Sequence, residues 1–350
     1  MRNNADTAAA VWQACGESTT ERTDRLPGAS WPAANAPMSL SISELQPVLE
    51  YPELAADGLV AGTYGVECVH TGRASTGEYY LRLRLYDVTG AAHVYSRYAD
   101  WPSPPRDGQA HTVGFRWVHD RYENLVPLAR PFPATQTLPE RSPLELLPGD
   151  RLPEPENLFR LLTLVESLRT PGYRALVEEV FRDRELAYLF ATLPASRRCH
   201  HTGEGGLLAH SLDVAEGVRR ATGHLAIGRL RREALILVGL LHDIGKALLN
   251  TREGYRLPSS RGEHAALIDY ALATPMARLK ARDLDAFTAL WQVIDGYKRK
   301  DRYTAPLAAL VESMDSVSAQ TNLIQQRSAS HPGYRLPGCH RETVWHAPGR

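Results

Sequence analysis

The sequence predicts an α+β chain of two domains, a small five-stranded β-barrel followed by an all-α helical bundle. Three observations carry that expectation. Short strand-like runs separated by turn residues fill about 58–130, a proline-rich stretch follows, and from Asn157 onward apolar residues recur at three- and four-residue spacing. The 350 residues leave room for two domains on a prior of roughly 100–200 residues each.

Residues 1–40 are rich in Ala, Thr, Asn and Pro without periodicity and read as a flexible lead-in to a barrel domain at 41–130. The strands are "LVAGTYGVECVHTG", "GEYYLRLRLYD", where Leu81, Leu83 and Leu85 alternate with Arg82 and Arg84, then "AAHVYSR", "HTVGFRWV" and "NLVPLA". The turns "DVTG" and "HDRYE" punctuate them. Five short strands make an OB-like barrel the first candidate. Such barrels bind single strands by stacking bases on exposed aromatics beside positive side chains, which nominates Arg82, Arg84, Tyr95, Arg97 and Trp117. The bland alternative is that the aromatics fill the core and the arginines form a solvated face. Residues 58–130 hold eight Arg and no Lys against seven acids, so the nucleic-acid reading rests on architecture more than on charge.

Seven prolines between 131 and 156 mark an extended linker. Helical patterning then covers 157–324, through "LFRLLTLVESL", "YRALVEEVFRD", "EALILVGLLHDIGKALL", "HAALIDYALA", "LDAFTALWQVID" and "PLAALVESMDSVSAQ". The tail at 325–350 is polar and is expected to be flexible. Lys plus Arg and Asp plus Glu both total 40, which excludes a globally basic nucleic-acid binder but not a local basic groove. No apolar run reaches the roughly 20 residues of a membrane span, and the start shows no signal-peptide core. Cys15, Cys68, Cys199 and Cys339 are scattered, as expected of free thiols in a reducing cytoplasm.

The chemistry concentrates in the helical half. "GLLHDIGKALL" sets His242 and Asp243 inside an apolar helix, where two ionisable groups are costly unless something satisfies them. His210, in a helix expected to start near Glu204, and Asp315, flanked by Val311, Met314 and Val317, also read as inward-facing. A lone buried His is usually a hydrogen-bonded core residue. Four such positions in one helical domain are better explained by a divalent ion, and imidazole plus carboxylate suits Mn²⁺ first, with Fe²⁺, Ni²⁺, Zn²⁺ or Mg²⁺ as alternatives. His264 is a candidate further ligand. Lys246, three residues past Asp243, is placed to add a point charge on a phosphate, and His200 and His201, upstream of a Gly-Gly turn, to bind phosphate or protonate a leaving oxygen. Lys298 and Arg299 in "YKRKDR" are candidates to track a strand, although a solvated helix end explains them equally.

The order His…His-Asp…Asp around "LLHDIGK" resembles the HD-domain superfamily of metal-dependent phosphohydrolases over roughly 157–320. That resemblance implies metal ligation by His210, His242, Asp243 and Asp315, with Lys246 neutralising phosphate charge. The run "LPASRRCHHTGEGGLLAHSLDVA" is similar to two branches. One is the bacterial 3′→5′ exoribonucleases, which place an OB-fold before an HD domain. The other is the TraI-like HD domain of conjugative relaxases. Exonuclease-like members carry a second His-His pair where this chain has Ile294 and Asp295, which leaves open one ion or two, with Asp295 as a replacement ligand. The resemblance therefore implies a 3′→5′ exonuclease on single-stranded RNA or DNA, with the barrel binding the strand and the helical domain cleaving it. The alternatives are a DNA-transfer module that binds metal and DNA with little cleavage of its own, and a small-nucleotide phosphohydrolase. A homo-oligomer and partners in a conjugation machinery stay open; no membrane partner is expected.

Overall fold

A computed structural model describes residues 38–51, 54, 60–74, 77–105, 109–119, 125–132, 138, 140–196, 199–251, 254–255, 263–299 and 306–330. The lead-in before residue 38, the tail after 330, and Cys15 and Cys339 lie outside the described residues. The chain divides into two compact units between Arg151 and Leu152. No helix among the described residues is long and apolar enough to cross a membrane, and Cys68 and Cys199 are free thiols.

The first unit contains β1 (Met38–Ser39), α1 (Ile42–Glu50), β2 (Val60–Arg73), β3 (Tyr79–Asp87), β4 (Gly90–Arg97), β5 (Gln109–His119) and β6 (Leu125–Pro131). The strands join in the order β2-β3-β4-β6-β5, and β5 returns to pair with β2, which closes a five-stranded barrel. The β4–β6 contact is parallel and short, Tyr95 and Ser96 opposite Leu128 and Ala129. The buried Ser96 hydroxyl reinforces it by donating to the Ala129 carbonyl (2.5 Å). Alternation puts Leu81, Leu83 and Leu85 of β3 and Ala92 and Val94 of β4 inside, with Tyr64, Val113 and Phe115 from their neighbours. The OB-like expectation is met.

The sequence reading missed α1. Its signature is present, since Ser41 and Glu44 have capping-box spacing and the Ser41 N–H donates to Glu44 (2.8 Å). Ile42, Leu45 and Val48 join the barrel core. The fully buried Asp87 accepts the Ile42 N–H (3.0 Å) and an Arg141 N–H (2.9 Å), so it is satisfied on both oxygens with help from the Thr89 N–H (2.8 Å).

The expected extended linker at 131–156 is corrected over its second half. Residues 143–146 and 149–151 form 3₁₀ turns that belong to the barrel unit. Leu144, Leu146 and Leu147 between the prolines are buried. Asp150 pairs with Arg84 (2.5 Å), and Arg151 pairs with Glu67. Apolar anchors and buried counter-charges outweigh the stiffness of the prolines.

The second unit holds α2 (Glu156–Ser167), α3 (Pro171–Val180), α4 (Arg184–Thr192), α5 (Gly206–Thr222), α6 (Arg229–Leu241), α7 (Gly245–Leu249), a short hairpin of β7 (Asn250–Thr251) and β8 (Gly254–Tyr255), α8 (Glu263–Arg282), α9 (Leu284–Arg299) and α10 (Ala308–Ser330). The last helix runs past 324, into the segment expected to be flexible. Helix α6 crosses α5 closely, because a Cβ at Gly239 would sit 3.1 Å from the Ala215 Cα. The single helix expected across "EALILVGLLHDIGKALL" is broken at 242–244. There Ile244 and Lys246 donate to carbonyls three residues back rather than four, and the His-Asp pair sits in that turn.

Arg84→Ala is expected to cost about 3 kcal/mol in urea denaturation, the lower end for breaking a buried pair, because Arg151 remains with Glu67. The exposed Arg116→Ala should cost no more than about 0.5 kcal/mol; equal losses would remove the structural role given to Arg84.

Candidate metal centre

Three elements deliver the centre. Helix α5 buries Leu207, Leu208, Leu212, Val214 and Ala215 on one side, and His210 shares that side with no exposure at all. The α6–α7 turn delivers His242 and Asp243, 2 % and 4 % exposed. Helix α10 brings Asp315 one turn beyond the buried Val311.

His210 Nε2 lies 3.0 Å from an Asp315 oxygen and 3.6 Å from Asp243. His242 Nε2 lies 3.4 Å from Asp243 and 3.8 Å from Asp315. Neither Nε2 makes an aligned hydrogen bond, although both are buried. Their Nδ1 atoms are engaged, His242 with the Gly239 carbonyl (2.9 Å) and His210 with the Ser318 hydroxyl (3.0 Å). A carbonyl only accepts, so His242 carries its proton on Nδ1 and turns an Nε2 lone pair inward when neutral. Ligand bonds of about 2.1 Å put neighbouring ligand atoms roughly 3.0–3.4 Å apart. His210, His242 and Asp315 bring three ligand atoms within 4.8 Å of one another, spaced to share one cation, with the Asp243 carboxylate beside both nitrogens, and imidazole nitrogens with carboxylate suit a first-row divalent ion.

The electrostatics agree. Burial raises the Asp243 carboxyl, but His242, Lys246 and His210 outweigh it and hold the group well below the ordinary carboxylate range. Burial likewise works against Asp315, and the two imidazoles bring it below the usual value. His242 is raised, because Asp243 beside it overrides the desolvation that would lower it. Lys246 Nζ donates to Asp243 (2.5 Å) and to the Ala195 carbonyl (2.9 Å), so it fixes the Asp243 carboxylate and ties down the loop before α5.

His200 and His201 come to the same centre. Their rings stand 4.9 and 5.3 Å from that of His210, and with it they form a second group of nitrogens close enough to share an ion. The two groups are not equivalent. His201 Nε2 and His210 Nδ1 both already face Ser318 Oγ, whereas the inward Nε2 atoms of His210 and His242 do not find such a partner. The first group is the better metal site. Burial pushes both upstream histidines down to about 4, which keeps them neutral at neutral pH and weighs against the expected proton-donor role. His201 has φ +45°, and a Cβ on Gly206 would lie 2.1 Å from its carbonyl oxygen. The Gly-Gly turn is therefore a requirement of the loop, not a spacer.

Other expectations divide. Arg84, 6 % exposed and bound to Glu67 and Asp150, is structural, which corrects its nomination as a strand contact. Lys298 pairs with Asp269 and Arg299 with Asp295 (2.9 Å), so both are held by acids on the helix surface. Asp295 is in neither group of His/Asp side chains that could share an ion among the described residues, and Ile294 is buried beside His242 in an apolar pocket with Leu241 and Tyr297. Arg97 pairs with Glu78 at the surface, and Trp117 is half-buried against the barrel core. Arg82 and Tyr95 stand opposite each other on the outer face of β3 and β4. The side chain of His264 lies outside the described residues. Two residues were missed. Tyr297 sets its ring edge against His242 (6.0 Å), and burial followed by the nearby carboxylates raises its pKa. Ser318 was legible only as the residue one turn after Asp315.

The comparisons agree with this geometry. The HD domain family matches residues 207–319, a span that contains His210, His242, Asp243 and Asp315. The helical unit carries an HD domain. The TraI_2 family, described as "Putative helicase", matches residues 146–254. That description speaks of the family; these 350 residues contain no G-x-x-x-x-G-K-[ST] phosphate loop. No curated protein and no solved structure matches the chain. An HD domain implies a metal-dependent phosphohydrolase, and the His/Asp groups here are positioned to hold the ion.

His242→Ala and Asp315→Ala should each eliminate the one Mn²⁺ per chain expected for the wild type, read by metal analysis after gel filtration. Unchanged stoichiometry in both variants would dismiss this centre.

Proposed function

We propose that the chain is a 3′→5′ exonuclease acting on single-stranded RNA or DNA, with the barrel unit binding the strand and the HD domain hydrolysing it with Mn²⁺. The observation that carries the reading is the convergence of two buried, unbonded Nε2 atoms on two carboxylates. When bound, a divalent ion lowers the pKa of a coordinated water and offsets phosphoryl charge. The protein's own contributions follow from its geometry. Lys246 keeps the Asp243 carboxylate in place and leaves ammonium charge beside a phosphate. His200 presents a buried Nδ1 without a hydrogen bond, suited to accept a proton or a polar ligand atom. The strand-binding role rests on the outer face of the barrel. Cross-strand rows there place Tyr80 opposite Arg97 and Arg82 opposite Tyr95, with the Tyr80 and Tyr95 rings 5.9 Å apart. Arg82 makes no ion pair among the described residues, which leaves its charge for a backbone phosphate.

A second reading is favoured by the TraI_2 match. In it the chain is a module of a conjugative DNA-transfer system that binds metal and DNA and cleaves little. Ile294 and Asp295 in place of a second histidine pair are consistent with it, since a second ion would then have fewer ligands.

The deciding experiment incubates the full chain and Mn²⁺ with 5′-labelled single strands of RNA and DNA, and separately with nucleotide monomers. A ladder shortening from the 3′ end, absent in His242→Ala and weakened by Arg82→Ala, is the expected result. Binding without shortening would replace the exonuclease reading with the second one, and phosphate release from monomers alone would overturn both.

A further inference from the structure

The polar side of α10 does more than supply Asp315. Asp315, Ser318 and Asn322 follow one another at three- and four-residue spacing, which puts them on one face of the helix. Ser318 Oγ lies 3.0 Å from His210 Nδ1 and 3.3 Å from His201 Nε2, so a single hydroxyl sits between two histidines that approach it from separate stretches of chain. Asn322 holds the second of these, since its Oδ1 accepts the His201 N–H at 2.7 Å and is itself oriented by Gln326 Nε2 at 2.7 Å. His201 also donates nothing from its carbonyl but accepts the Ala195 N–H there (3.0 Å), which completes the fixing of a residue at φ +45°. A strained backbone persists only where its surroundings over-determine it.

We propose that Ser318 is the positioning residue of the metal centre, accepting the Nδ1 proton of His210 and donating its own hydroxyl proton to His201 Nε2. The inference rests on the metal reading of His210. The direction of the relay follows from hydrogen-bond bookkeeping. His210 Nε2 faces Asp243 and Asp315 and must offer a lone pair to an ion, which places the ring proton on Nδ1. Nδ1 then donates, Ser318 Oγ accepts, and the one remaining hydroxyl proton is left for His201. No bond to carbon or phosphorus changes in this arrangement; it sets a tautomer and a ring angle. Outer partners of metal-bound histidines raise ligand basicity and fix orientation in this way. His242 achieves the same with a backbone carbonyl, which no substitution of a side chain can remove. Of the two buried histidines, His210 is therefore the one whose outer partner can be changed by a side-chain substitution, at Ser318.

The test uses the full chain with ¹⁵N-labelled histidine, as wild type, Ser318→Ala and Ser318→Thr. In the wild type loaded with diamagnetic Zn²⁺, long-range ¹H–¹⁵N spectra should show a slowly exchanging His210 Nδ1–H, and Ser318→Ala should shift that resonance and speed its exchange. Mn²⁺ affinity should fall about 10–100-fold in Ser318→Ala and recover to within a few-fold in Ser318→Thr, with one ion per chain throughout. Wild-type affinity and an unmoved Nδ1–H resonance in Ser318→Ala would overturn the assignment while leaving the metal centre standing. A wild type that binds no divalent ion would instead remove the metal reading.

Discussion

Two imidazole nitrogens with no aligned hydrogen bond, buried side by side between helices, are the constraint on which the helical unit turns. A buried polar atom without a partner costs on the order of 1–3 kcal/mol, and His210 and His242 each carry one. Several local features of the unit serve to keep these atoms in register rather than to relieve them. Gly239 allows α6 to lie close on α5, the tightened turn at 242–244 swings the His-Asp pair off the end of α6, and Lys246 braces the carboxylate between them. The fold keeps the acceptors aimed at a common point, and a divalent cation is the partner that satisfies nitrogen lone pairs and carboxylates at once.

The surrounding charges have a matching logic. The buried carboxylate is held ionised by the histidines and the lysine around it, and the upstream histidines are kept neutral by desolvation. The outer barrel face is of another kind, with rings and guanidinium groups in cross-strand rows and modest net charge.

Much of this was legible from residue order. Strand alternation at Leu81, Leu83 and Leu85 and the turn residues between runs identify the barrel, because period-two patterning survives in any sheet that is buried on one face. The His…His-Asp…Asp spacing identifies the centre, because ionisable residues inside apolar helices demand a partner. Other features were hidden for physical reasons. Helix α1 has nine residues and contains Pro47, so its brief Ile42, Leu45 and Val48 stripe is easily passed over despite the Ser41–Glu44 cap. Arg84 looked like its neighbour Arg82, since a sequence does not show which charge meets Glu67 and Asp150 from distant positions. The break before α7 depends on three-residue hydrogen bonds that an apolar pattern passes over. Ser318 carries no signal of its own, as its importance comes from two histidines more than a hundred residues earlier in the chain.

The strap at 140–151 has a consequence for how this barrel can be moved about. By strand count the unit finishes at Pro131, yet the salt links at Glu67, Arg84 and Asp87 are completed only ten to twenty residues later. A gene fusion or recombination that cut at the last strand would carry away a barrel in which Asp87 had lost its guanidinium and the Arg84–Glu67 pair its outer partners. The portable module is the one that keeps its belt, and its seam falls at Arg151 and Leu152.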